Sequence, residues 1–128
     1  MKADAAKIVG CTLTDINVRT YIVEFLLSDK ESFTLRVKKT FNFWIDGDEE
    51  SRFDADSENH DPSIESAEFI FLRGRKCLEV GLSDSKFELG FEGGAKLIVN
   101  LSVQDFEPLE LIGTRGDRHE IMDFYHVL

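Results

Sequence analysis

The chain has little of what marks a small secreted or metal-stapled protein. Its only cysteines are Cys11 and Cys77, too few for a disulfide framework and not in the C-x-x-C spacing of a zinc or redox pair. In apolar, strand-like settings they are expected to be buried, reduced and unreactive thiols. Bases are scarce as well, with 15 Lys and Arg against 25 Asp and Glu. The net charge of −10 opposes direct binding to nucleic acid or an anionic membrane, because both select basic surfaces. It favours basic partners, although acidity also serves plain solubility.

No long apolar run occurs. The opening MKADAAKIVGC has neither the apolar core of a signal peptide nor the length of a membrane span, so a cytoplasmic location is expected. Catalytic motifs are missing too. No serine sits in a G-x-S-x-G elbow, and no cysteine adjoins a histidine. Gly90, Gly93 and Gly94 do not follow the strand–loop–helix layout of a phosphate cradle. The histidines are His60, His119 and His126. The last two are seven apart and would face opposite sides of one strand, and no cysteine pair supports a zinc site. No catalytic residue, metal or cofactor is expected, and the chain reads as a non-enzyme.

What is present is globular. Hydrophobic content of 42% and charged content of 31% over 128 residues suit one domain with a real core. Eleven phenylalanines are available to fill it. Leu13, Ile16 and Val18 precede a turn near Arg19-Thr20. Tyr21, Val23, Phe25 and Leu27 then alternate with polar or opposite-face neighbours, as do Phe33, Leu35 and Val37, and then Phe41, Phe43 and Ile45. That period of two is the mark of half-buried strands. The second half alternates through Leu78, Val80 and Leu82, then Phe87, Leu89 and Phe91. A Glu92-Gly93-Gly94 turn leads to Leu97, Val99 and Leu101, then Leu109 and Leu111, and a last strand through Ile121 and Phe124. Asp61-Pro62 reads as a helix start, with Ile64, Ala67 and Phe71 on one face and Gly74 as the stop. A strand through Phe69–Leu72 competes with that helix.

The halves also look alike. Gly10 and Gly74 stand 64 residues apart, and the same shift pairs Ile8 with Leu72, Ile16 with Val80, Phe25 with Leu89 and Phe33 with Leu97. The expected fold is mainly β (α+β): two related antiparallel β-meander units, about 8–45 and 72–112, packed together within one domain, with one short helix between them.

The units are joined by the acidic segment 46–61. It holds Asp46, Asp48, Glu49, Glu50, Asp54, Asp56, Glu58 and Asp61 against one base, Arg52, a balance of −7. Asp54, Asp56, Glu58 and Glu65 touch a calcium-loop pattern, but Asn59 stands where the sharp-turn glycine belongs and Pro62 at position nine. A solvated linker and a docking surface for a basic protein are the readings left open. Beside it, Trp44 reads either as core packing with Phe41 and Phe43 or as an exposed interface anchor.

Two pieces, Ile8-Val9-Gly10-Cys11-Thr12-Leu13-Thr14-Asp15-Ile16 and Leu72-Arg73-Gly74-Arg75-Lys76-Cys77-Leu78-Glu79-Val80, resemble a twice-used segment of small bacterial β-rich proteins. In those, an apolar residue and a glycine precede a strand, and a hairpin with a "phe-x-aspartate-glycine" style turn follows. Phe91-Glu92-Gly93-Gly94 is similar to that turn, and Phe106-Glu107-Pro108-Leu109-Glu110-Leu111-Ile112-Gly113 looks like the closing strand. The first half departs from the pattern, reading Leu27-Ser28-Asp29-Lys30 without the glycine. Proteins of this look include immunity proteins of bacterial toxin systems such as contact-dependent growth inhibition. The resemblance implies a cytoplasmic antitoxin that binds one toxin domain, commonly a nuclease, and occludes its active site. It transfers no individual residue. The physics is compatible, since a nuclease cleft is basic and an acidic inhibitor competes for the same field. The expected docking surface is Trp44 with Asp46, Asp48, Glu49, Glu50, Asp54, Asp56, Glu58 and Asp61. The alternative is a structural or homo-oligomeric β module whose acids only keep it soluble.

Overall fold

Ten strands make up nearly all the regular structure in the computed structural model, which describes residues 5–19, 21–38, 40–45, 50–54, 70–101, 109–115 and 118–127. They are β1 (Thr12–Arg19), β2 (Ile22–Ser28), β3 (Ser32–Val37), β4 (Thr40–Trp44), β5 (Glu50–Asp54), β6 (Cys77–Leu82), β7 (Lys86–Phe91), β8 (Lys96–Asn100), β9 (Leu109–Arg115) and β10 (Arg118–Val127). Two five-stranded sheets result, ordered β1-β2-β3-β9-β10 and β5-β4-β8-β7-β6. Every ladder is antiparallel. The chain is thus mainly β, as its alternation implies.

The alternating residues make the core. In the first sheet Val23, Phe25, Leu27, Phe33, Leu35 and Val37 are buried, and in the second Phe41, Phe43, Phe87, Leu89, Leu97 and Val99 are. The Phe25 and Phe41 rings meet edge-to-face across the two sheets at 5.3 Å. Each such side chain removed from water contributes about 1.5–3 kcal/mol, so the facing layers hold the sheets together.

Each sheet takes three consecutive strands from one half of the chain and two from the other. Between Val37 and Thr40 the chain steps from the first sheet to the second, so β4 pairs with β8 and β9 with β3. The two expected units, about 8–45 and 72–112, are therefore not separate sheets: each contributes strands to both. The exchange pairs the edges of β3 and β8, whose backbone N–H and C=O groups a separate meander would leave open.

The two halves match in local detail. Gly10 and Gly74 have φ of +94° and +89°. Gly10 N–H donates to Cys77 O at 2.8 Å, and Gly74 N–H donates to Leu13 O at 2.7 Å. Leu13 N–H donates to Arg75 O, and Cys77 N–H to Cys11 O, at 3.0 and 2.7 Å. A lone bridge pairs Thr12 with Lys76 at the centre of this reciprocal set. Bulges fall at Leu13/Asp15 and at Cys77/Glu79, again 64 residues apart. The correspondence changes in the third strands. Phe25 faces Leu35, whereas its counterpart Leu89 faces Leu97, so Leu97 matches Leu35 and not Phe33. The Glu92–Gly94 turn is two residues tighter than its partner in the first half.

Two further expectations change. The helix placed after Pro62 lies outside the described residues up to 69, and Ile70–Leu72 forms a single 3-10 turn. Phe71, expected on an apolar helix face, is 64% exposed, while Leu72 is fully buried. Leu78, expected inside, is 56% exposed. It is the extra residue of the β6 bulge, which puts Cys77 and Val80 on the inner side instead.

Among the described residues no helix is long and apolar enough to cross a membrane. Cys11 and Cys77 are both buried free thiols.

Candidate partner-binding surface

Because Phe41 and Phe43 point inward, Asn42 and Trp44 must point out of the second sheet. The ladder places Trp44 between Glu50 of β5 and Lys96 of β8, and Asn42 between Arg52 and Ile98. Trp44 is half-buried and Glu50 exposed. The Trp44 reading therefore resolves outward, while its phenylalanine neighbours fill the core. Lys96 Nζ stands 5.9 Å from the centre of the Trp44 ring, within cation–π range. Glu88 holds that ammonium at 3.2 Å and Lys86 at 3.6 Å. Asn42 Nδ2 donates to Glu50 Oε1, which orients the carboxylate beside the indole.

A shallow groove of about 400 Å³ runs along this face, lined by Asn42, Trp44, Glu50, Lys86, Ile98 and Asn100 among others. Its floor is Ile98 and the indole. Glu50 marks one end and Lys86 the other, because Lys86 pairs with Asn100 while Glu50 pairs with Trp44.

The acidic segment is not one uniform linker. Glu50–Asp54 is a strand, and Phe53 on it is only 4% exposed and packs against Phe41 at 5.4 Å between ring centres. Ser51 and Phe53 face in while Glu50 and Arg52 face out, a period of two that the dense charge conceals. Asp54 pairs with Thr40 at the far end of the hairpin, about 13 Å from Glu50 at strand rise. The structure thus brings Trp44 and Glu50 together and sets Asp54 apart. Asp46, Asp48 and Glu49 occupy the connection from β4 to β5 in the sequence, whose two ends the Trp44–Glu50 pair fixes. Asp46, Asp48, Glu49, Asp56, Glu58 and Asp61 lie outside the described residues.

Sequence reasoning missed Asn42, Lys86, Lys96 and Ile98. Their outward placement follows from alternation, but their convergence depends on the β4–β8 pairing, which no local pattern announces.

The outward face of the first sheet holds a buried carboxylate between two bases. Glu24, 7% exposed, lies between Arg19 at 3.3 Å and Arg36 at 2.8 Å.

Among the described residues no group of three or more His, Cys, Asp and Glu side chains could hold a metal ion. Burial, then the charges of Asp29 and Glu31, push the Cys11 thiol up to about 11. Burial likewise pushes Cys77 up to about 11. Both stay protonated at neutral pH and are poor nucleophiles. Arg75 is structural, its guanidinium donating to the carbonyls of Phe71, Ile45 and Glu92, each at 3.0 Å.

No protein-family model, curated protein or solved structure matches the chain.

Proposed function

We propose that this protein is a cytoplasmic immunity protein that binds a basic toxin domain, of the nuclease kind, and blocks its active site without catalysing a reaction. The observation that carries this reading is the placement of a half-exposed tryptophan beside an exposed carboxylate at the end of the β4–β5 hairpin. The connection between those two residues adds Asp46, Asp48 and Glu49. Tryptophan supplies a large rigid contact, and Glu50 with the acids that follow Trp44 in the sequence steers a cationic partner. The rigid second sheet presents both. The imbalance of −10 adds a long-range field of the right sign for a protein that normally attracts nucleic acid.

The test is growth rescue. Cells producing the toxin domain encoded beside this gene should survive when this chain is coexpressed. Neutralising Asp48, Glu49, Glu50, Asp54 and Asp56 together should slow association with that toxin by about tenfold or more at low salt, and flatten its salt dependence. Killing that the unaltered chain does not relieve, or a gene neighbourhood with no toxin, overturns the reading.

A further inference from the structure

We propose that the groove beside Trp44 and Glu50 receives an arginine side chain of the protein partner. The inference rests on the binding role above and names the chemistry that the surface recognises.

Four observations converge on a guanidinium group. First, the Trp44 ring already tolerates a cation, since Lys96 Nζ lies 5.9 Å from its centre. Lys96 is not part of the groove, because Glu88 draws its ammonium toward β7 at 3.2 Å. The groove is lined by the indole together with Asn42, Ile98 and Glu50. Second, a carboxylate lines the groove. Asn42 Nδ2 donates to Glu50 Oε1, and both side chains line the groove, so the acceptor stands on its wall. Third, the walls suit a flat, weakly hydrated cation with an aliphatic stem. Arginine stacks its plane on an aromatic face and covers apolar surface with its methylenes, here the side chain of Ile98. A lysine ammonium is a compact and strongly hydrated point charge, and the chain supplies that cation itself through Lys96. Fourth, the charge is polarised along the groove. Glu50 stands at the Trp44 end and Lys86 at the Asn100 end. The carboxylate of the groove is thus at the Trp44 end, whereas the Asn100 end already holds a cation, Lys86, paired with Glu88. The site fits one arginine in an otherwise neutral stretch better than a polybasic run. The volume of about 400 Å³ accommodates one long side chain and its backbone. The net charge of −10 gives the overall complementarity to a basic partner.

Trp44 is the sole tryptophan of the chain, so its fluorescence reports this groove and nothing else. The experiment titrates the full-length protein, into the millimolar range, with a short neutral peptide bearing one arginine. Parallel titrations use the same peptide with lysine and with citrulline, which keeps the shape and removes the charge. The expected result is a saturable emission change with the arginine peptide and at least tenfold weaker responses with the other two. Glu50→Gln should weaken the arginine response by a similar factor. Glu79→Gln, the same charge change at the other edge of this sheet, should leave it within twofold. No saturable change with arginine, or an equal response to citrulline, overturns the proposal. Growth rescue separates the two ideas. Rescue by the chain together with a failed arginine titration removes the groove and keeps the immunity reading. A selective arginine response without rescue does the reverse.

Discussion

Gly10 and Gly74 hold positive φ with no neighbouring atom within 4 Å of where a Cβ would stand. Alanine at either position therefore tests backbone conformation apart from packing. Gly74→Ala should lower the unfolding free energy by about 1–2 kcal/mol, the cost of left-handed backbone for an L-residue, as read by urea denaturation. A much larger loss would mean that the 10/74 junction carries strain of another origin. The two cysteines make a second residue-scale prediction. Each thiol is raised from its ordinary 9.0 to about 11 by burial, so the unfolded chain gives up its thiol protons at a lower pH than the folded one. The stabilisation this represents is complete below pH 9.0 and is lost as the pH climbs through about 11. Unfolding free energy should fall across that window and fall less in Cys77→Ala. Maleimide labelling at neutral pH should stay slow until denaturant exposes the thiols.

At the level of elements, the second sheet turns on Phe41. It touches Phe25 across the interlayer and Phe43 and Phe53 within its own sheet, at ring-centre distances of 5.3, 6.1 and 5.4 Å. Phe41→Ala should cost about 3–5 kcal/mol, against about 0.5 kcal/mol or less for the outward Arg52→Ala. Equal costs, measured by thermal and chemical melts, would contradict the inward-outward assignment of this hairpin. The strands themselves were largely legible. In β3, Phe33, Leu35 and Val37 alternate with polar neighbours and nothing interrupts them. β5 was hidden because Glu50, Arg52 and Asp54 swamp the single inward Phe53. Odd spacings held a further clue, since Leu13 and Ile16 can share a face only across a bulge, as can Cys77 and Val80. That clue was unreadable in β6, where Leu78 offered a false inward residue. Turn length misled the comparison of third strands, because hydrophobic alternation survives a two-residue slip unchanged. As for the surface, Trp44 outward follows from Phe41 and Phe43, but Ile98 and Lys96 join it only through pairing between distant strands.

For the molecule as a whole, strand exchange means that neither half owns a complete sheet. Cutting the chain within 55–69 should leave two fragments that co-elute on size exclusion at the position of the intact protein. The β3–β9 and β4–β8 ladders and the shared core hold them. Separation of the fragments without denaturant would contradict this architecture. The β1–β6 junction also gives the sandwich two unlike flanks. One is stitched by backbone bonds from Gly10, Leu13, Gly74 and Cys77, whereas β5 and β10 end their sheets on the other. In deuterated water the amide protons of those four residues should be among the last to be replaced, with outward-facing amides of β5 among the first. Breathing of the fold then begins on the flank next to Trp44, where a visitor arrives, and leaves the stitched flank at rest.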